Sequence, residues 1–506
     1  MKNTFLKSII LAIVFFISIF AASAQEKQKV EILNADALKF DHTISSEYKR
    51  LIGNVLFKHN DILMWCDSAH MYNEQNMVKA FGKVHINQND TLNIYCDSLV
   101  YFGNTKTGNM RSRVKMIDKQ MTLTTNYMDF DFNTDVAYYY NKGKIVDPEN
   151  VLTSTFGYYY SKIKLFAFRQ NVLLVNKKYT MTSDTLKYHT VSKKSFFFGP
   201  TTIKSDSNLI FCKNGWYDTH KNVSQFNKEA FIVNKSQTLN GDSIYYNRQT
   251  GFGKAIGNIK IIDTTQKIVI HGQYAETYEK NDSSVVTGMP VLEKFFEKDT
   301  LYLRADTLKA VADSSKKNRT IFAYHRVKFY KPDFQGLCDS LTYTFSDSLI
   351  RMFEAPILWN DSNQLTAKNI EIKTGKNSIK QIFLTVNSFV VSQKDSASFN
   401  QIKGKNLTGY FVDNKLDRIF VEGNGETIYY AEEDDKSTFG INKANASNLL
   451  IMLKDNEVNE ITFYKSPDAV LYPPKDLSKD EVLLKGFVWH KNKRPLSKDD
   501  IFNFVE

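Results

Sequence analysis

Proline, cysteine and glycine are all scarce in this chain of 506 residues, and each shortage excludes something. Only nine prolines are present, mostly at turns or strand ends as in Gly199-Pro200, Met289-Pro290 and Ala355-Pro356, so no proline-rich tether divides the chain into beads. The four cysteines, Cys66, Cys96, Cys212 and Cys338, include no Cys-x-x-Cys pair, and no His-x-x-x-His spacing accompanies them, which removes the common zinc sites. Gly-x-Ser-x-Gly, His-Glu-x-x-His and P-loop signatures are missing as well. The run Gly251-Phe252-Gly253-Lys254-Ala255-Ile256-Gly257 has the look of a dinucleotide turn, but no helix pattern follows it and its glycines read as turn residues. Beyond Phe20 no apolar run is long enough to span a bilayer as a helix.

What the chain does have is a motif that returns about every 30 residues, a small residue followed by Asp-(Ser/Thr)-apolar-x-aromatic. Copies stand at Ala35-Asp36, Cys66-Asp67, Cys96-Asp97, Ser183-Asp184, Gly241-Asp242, Ala305-Asp306 and Cys338-Asp339. A second stretch follows each by 17 to 21 positions: Gly53-Asn54-Val55-Leu56-Phe57, Gly82-Lys83-Val84-His85-Ile86, Gly257-Asn258-Ile259-Lys260-Ile261 and Arg326-Val327-Lys328-Phe329. Both halves alternate apolar and polar with the period of a strand, which gives each strand one apolar and one solvated face. Self-similarity at a fixed period predicts a stack of units, here about fourteen between residues 30 and 470. A stack escapes the size limit of a single globular core because each unit touches only its neighbours.

The recurring Asp could form an acidic cleft or calcium ladder. A residue present in every unit more simply serves every unit, so each Asp is expected to begin a strand and accept hydrogen bonds from turn amides. The cysteines occupy a slot that elsewhere holds Ala or Gly, which predicts small buried hydrophobes; the alternative is a Cys66–Cys96 bridge between units.

Lys2 and Lys7, the apolar run Ile9 to Phe20 and Ala22-Ser23-Ala24 read as a signal peptide over residues 1–24, with the exported chain beginning at Gln25. Residues 25–472 then form one repeat domain, and residues 473–506 a C-terminal cap or docking tail. The formal charge of +11 and 13% aromatic content suit an anionic, apolar partner, with the lysines dispersed rather than clustered.

The Asp-(Ser/Thr)-Leu-x-Tyr and Gly-Asn-Val-x-apolar copies resemble the OstA-like, LptA-type family of lipopolysaccharide transport proteins over roughly residues 30–470. The resemblance implies an all-β fold, an elongated antiparallel open β-jellyroll solenoid whose inner faces form a groove for lipid A acyl chains. It implies a non-enzymatic periplasmic bridge without cofactors, partnered by lipopolysaccharide and by inner- and outer-membrane transport components with similar jellyrolls, with no nucleic-acid role and an alternative placement at the outer membrane. One type of family member carries a long β-barrel after its repeats, for which the residues after Tyr472 are too few.

Strand alternation nominates Leu38, Phe40, Val55, Phe57, Val84, Ile86, Leu99, Tyr101, Leu186, Tyr188, Ile244, Tyr246, Ile259, Ile261, Leu308, Val327, Phe329, Leu341 and Tyr343 as groove residues, with Val100, Lys260 and Lys328 facing out. The rival is a structural or adhesive solenoid with a closed core, in which the same positions simply pack together. A polysaccharide-acting β-helix enzyme would need a unique carboxylate cluster that the repeated Asp does not supply.

Overall fold

The computed structural model describes residues 28–40, 47–89, 91–119, 121–314, 318–375, 378–412, 415–433, 437–454 and 457–503. The signal-peptide segment lies outside them. The described residues form antiparallel strands joined by tight hairpins and three short 3-10 turns, with no α-helix, so none is long and apolar enough to cross a membrane. They divide into two compact units, residues 1–206 and 207–506.

In the first unit the strands Lys49–His59, Ile62–Tyr72, Met77–Gln88, Leu92–Phe102, Thr107–Asp118 and Met121–Asp131 pair in sequence order. Each ladder is interrupted midway. Ile52 pairs with Ser68 and Val55 with Cys66, so Gly53 and Asn54 oppose Asp67 alone, a two-against-one bulge. Both bulged residues are left-handed, with φ of +73° and +45°.

Left-handed corners recur at 53–54, 82–83, 112–113, 141–142, 170–171, 199, 228–229, 257–258, 288–289, 325–326, 354–355, 386–387, 423–424 and 465–466. These fourteen positions are the repeat. The repeated Asp begins a strand in only some copies: Asp36, Asp306 and Asp339 stand in a break just before Ala37–Lys39, Thr307–Ala312 and Ser340–Thr344, whereas Asp67, Asp97, Asp184 and Asp242 sit mid-strand, at the corner. A Cβ added to Gly82 would lie 2.6 Å from Asp67 Oδ2, and one added to Gly257 would lie 2.3 Å from Asp242 Oδ2. The recurring Asp and the recurring Gly are two sides of one contact. Side chains on the second corner residue tie it further, as in Asn54 Nδ2 to Asp36 Oδ2 and Asn258 Nδ2 to Asp242 Oδ2, each 2.9 Å, and the two-pronged Arg113–Asp97 pair. These pairs are exposed to water, so each adds little to stability.

The corner divides every strand into two arms, and the alternate side chains that face between the arms make the core. The four cysteines are buried and free, beside the corner, where burial pushes each thiol up to about 12.

In the second unit one core runs from Ile268 to Ile451. Residues 477–503 cross the outer face of its strands. Gln364 donates to Val488 O (2.7 Å) and accepts from His490 N (2.7 Å), while Gln401 donates to Val482 O (2.8 Å) and accepts from Leu484 N (2.9 Å). Leu484 packs on Phe389, Val391, Ile428 and Tyr430. The tail thus covers a sheet face, held by buried glutamines that read its backbone.

Candidate functional site

The space between the arms differs along the chain. In the first unit one cross-strand row, three positions beyond each left-handed pair, runs Phe57, Met64, Ile86, Ile94, Met116 and Leu123. All six are at most 1% exposed. The opposite arm at matching depth runs Met71, Val78, Tyr101, Gly108, Phe130 and Ala137, in which four bulky groups fill the gap beside two small ones. Its lips are polar: Tyr101 donates its hydroxyl to His59 Nδ1 (2.6 Å), and His59 Nε2 donates to Gln28 O (3.0 Å).

The same row in the second unit is Ile210, Ile232, Leu239, Ile261 and Ile270, consecutive partners across five strands. All five are only half-buried. Residues next to the corner, Cys212, Ala230, Ile244, Ala255 and Ile259, remain buried, so the interior is sealed at its apex and open farther out. The cause lies on the other arm. There the corresponding row is Ser224, Tyr246, Gly253, Thr277, Ser284 and Ala310, small but for Tyr246, whose hydroxyl donates to Glu279 Oε2 (2.8 Å). Groups of this size cannot reach the aliphatic row. Strands lie about 4.8 Å apart, so the row is a trough floor roughly 19 Å long.

The nominated residues sort accordingly. Val55, Phe57, Val84, Ile86, Leu99, Tyr101, Leu186, Ile244, Ile259, Leu308, Val327, Phe329 and Leu341 are buried, and Tyr188, Tyr246, Ile261 and Tyr343 are half-buried. Leu38 and Phe40 are instead at least half exposed; among the described residues the short strand Ala37–Lys39 pairs with Lys49–His59. Lys328 faces outward yet is buried, its ammonium donating to Asn503 O (2.7 Å) beneath the tail. Ile210, Ile232 and Ile270 escaped nomination because their strands carry no clear Asp-Ser or Gly-Asn signature, and Leu239 because it precedes the Gly241-Asp242-Ser243 copy of its strand, whose following residues alone were read; the corner spacing of about 29 residues would have found all four.

Among the described residues no group of three or more His, Cys, Asp or Glu is placed to hold a metal. What the arrangement offers is an apolar surface.

Comparison with known proteins adds a similarity over part of the chain. Residues 27–184 match the OstA-like protein family. The OstA-like segment ends inside the first unit and includes the closed row. Among solved structures the chain is similar to LptH of Pseudomonas aeruginosa, the LptA homologous periplasmic component of that organism's lipopolysaccharide transport device, at 15% identity over 19% of this chain and 73% of that one, with a TM-score of 0.18. No curated protein matches.

Proposed function

We propose that this protein is a periplasmic lipid-binding bridge that shields the acyl chains of lipopolysaccharide between the inner and outer membranes, and that the trough in its second unit is where shielding occurs. The observation that carries the reading is the partly exposed row Ile210, Ile232, Leu239, Ile261 and Ile270 facing a wall of mostly small residues. A contiguous apolar strip left partly open is unusual in a surface that has no use for it. An acyl chain laid along it removes methylenes from water at about 0.8 kcal/mol each, so ten of them account for about 8 kcal/mol before ordering costs. The OstA-like match over residues 27–184 and the motif resemblance to lipopolysaccharide transport proteins support the lipid class proposed, and the sequence of residues 1–24 supports export. Transport components with similar jellyrolls at the two membranes are the partners proposed at either end. The rival reading, a closed solenoid without ligand, is favoured by the packed row of the first unit and applies there to the ground state.

A photo-crosslinking residue at Ile261 is expected to capture lipopolysaccharide in cells, while one at the adjacent outward Lys260 is not. Equal capture from both, or none from either in a folded protein, rejects the trough.

A further inference from the structure

We infer that the C-terminal tail, where it crosses the second unit, is a docking surface for an anionic phospholipid bilayer. The inference goes beyond the lipid reading of the trough and stands without it. Over the whole chain 66 basic residues are interspersed with 55 acidic ones. Between Lys485 and Lys498 that mixing stops, because Lys485, Lys491, Lys493, Arg494 and Lys498 are accompanied by no Asp or Glu. The acids that bound the run are partly committed: Glu481 accepts from Ser478 N (2.9 Å), and Asp500 from Leu496 N (2.9 Å) and Ser497 N (2.8 Å), while Asp480 and Asp499 lie just outside it.

The fold turns this run into a surface. Gln364 and Gln401 hold the tail by its backbone, at Val488 O, His490 N, Val482 O and Leu484 N, so its side chains divide between two faces. Leu484 is buried against the sheet, and the Phe487 and Trp489 rings pack on Phe399 at 5.2 and 5.3 Å. Arg494 also turns down, donating from Nε to Gln335 Oε1 (2.9 Å) and from Nη1 to Asp361 O (2.8 Å). Lys485, Lys491, Lys493 and Lys498 are left exposed to water, and so are Val488 at 53% and Leu496 at 75%. Phe502, half exposed, rests its ring against Arg304.

This sorting selects the partner. Protein interfaces concentrate aromatic residues and arginine at their centre and are poor in lysine. Here Phe487, Trp489 and Arg494 face the sheet, while lysines and aliphatics face out. Exposed lysines alone, or two exposed aliphatics alone, would be ordinary surface. Interleaved on one short stretch, they suit a headgroup layer, where ammonium groups meet phosphates and Val488 and Leu496 reach the acyl boundary below. Each ammonium near such a surface gains about fivefold in affinity, and salt screens the gain.

The exported chain, residues 25–506, is mixed with vesicles of phosphatidylethanolamine and phosphatidylglycerol in equal parts, or of phosphatidylcholine alone, and the bound fraction is read by flotation. Binding is expected to the first and not the second, with release in high salt. Lys485→Gln, Lys491→Gln, Lys493→Gln and Lys498→Gln combined should weaken it at least about a hundredfold. Val488→Ser with Leu496→Ser should weaken it about tenfold. Amide protection at Leu484 and His490, bonded to Gln401 and Gln364, verifies in each variant that the tail is still docked. Binding to neither vesicle, equal binding to both, or binding that survives the lysine changes overturns the inference. Capture by native membranes alone, lost once their proteins are digested, overturns it in favour of a protein partner. The vesicles contain no lipopolysaccharide, so capture of purified lipopolysaccharide at Ile261 is a separate readout and should be unchanged in the lysine variant.

Discussion

Gly82-Lys83-Val84-His85-Ile86 and Gly257-Asn258-Ile259-Lys260-Ile261 are nearly the same sentence written twice. Both begin at a left-handed corner with φ of +73° and +72°, both place an Asp over the glycine, and both send their third and fifth residues inward. Ile86 is nevertheless fully buried and Ile261 half-buried. What differs is the wall across from them, Met71, Val78, Tyr101, Gly108 and Phe130 in one unit and Ser224, Tyr246, Gly253, Thr277 and Ser284 in the other, mostly bulky against mostly small. The lips differ too: Gln88 reaches the opposite arm, whereas the equivalent Asp263 uses its oxygens on its own hairpin, accepting from Gln266 N (2.8 Å) and Gln237 Nε2 (3.0 Å). A repeat can fix the course of its backbone locally and leave its interior to be decided by residues elsewhere.

The largest expected break in this comparison comes from a charge on the two isoleucines. Ile86→Asp puts an unpaired carboxylate where no water reaches and should cost more than about 3 kcal/mol, enough to unfold the first unit. Ile261→Asp keeps its carboxylate hydrated and should cost about 1 kcal/mol or less, while abolishing lipid capture. Denaturant unfolding of both variants decides; similar losses would mean that the two interiors are alike.

Filling the trough should close the gap from the other direction. Thr277 is exposed and its row-mate Ser284 half-buried, so Thr277→Met with Ser284→Leu adds apolar volume without displacing anything. Lipopolysaccharide crosslinking at Ile261 should fall about tenfold, with stability raised by up to about 1 kcal/mol from the newly covered row. Undiminished crosslinking would show that the lipid does not lie against these strands.

The corner itself should not distinguish the units. Gly82→Ala and Gly257→Ala each force a Cβ into a left-handed residue beneath an Asp, at a cost of about 1–3 kcal/mol that should agree within error between them. A large difference would mean that the corners are held by the arms rather than by the local Asp–Gly contact.

These comparisons show why part of the molecule could be read and part could not. The 30-residue spacing was legible because many corners carry Gly or Asn in one strand and Asp in the next, and both residue types are visible in sequence; it blurred where corners such as Lys228-Glu229 and Glu354-Ala355 carry neither. Their meaning was less so: Asp followed by Ser favours turns, and only the paired strand shows that the turn is a mid-strand bend. Alternation assigned Ile86 and Ile261 to the inner face correctly, but no local pattern says what stands opposite. The openness of the trough depends on Gly253 and Ser284, which read individually as ordinary strand residues. Lys328 shows the same limit, since its cover lies some 175 residues further along the chain.

The smallest expected effect concerns pH and the lip of the closed row. Burial holds the His59 imidazole below its ordinary value of 6.5, and Lys106 pushes the same way, against the Gln28 carbonyl, Asp61 and Glu31. A neutral ring is also what the hydrogen bonds require, with Nδ1 accepting from Tyr101. Since the unfolded chain binds this proton more readily than the folded one, stability is fully present above about pH 6.5 and declines as pH falls toward the lower folded value. The loss should be a fraction of the cost of Ile86→Asp and confined to the first unit, because the equivalent lip positions of the open row are Asn234 and Asp263. His70 and His490 are also lowered by burial, so the informative quantity is the difference between wild type and His59→Gln in unfolding free energy from pH 7.5 to 5. A variant that keeps a glutamine able to bond across the lip should flatten the decline without weakening the unit at pH 7.5; an unchanged decline would place the acid sensitivity elsewhere.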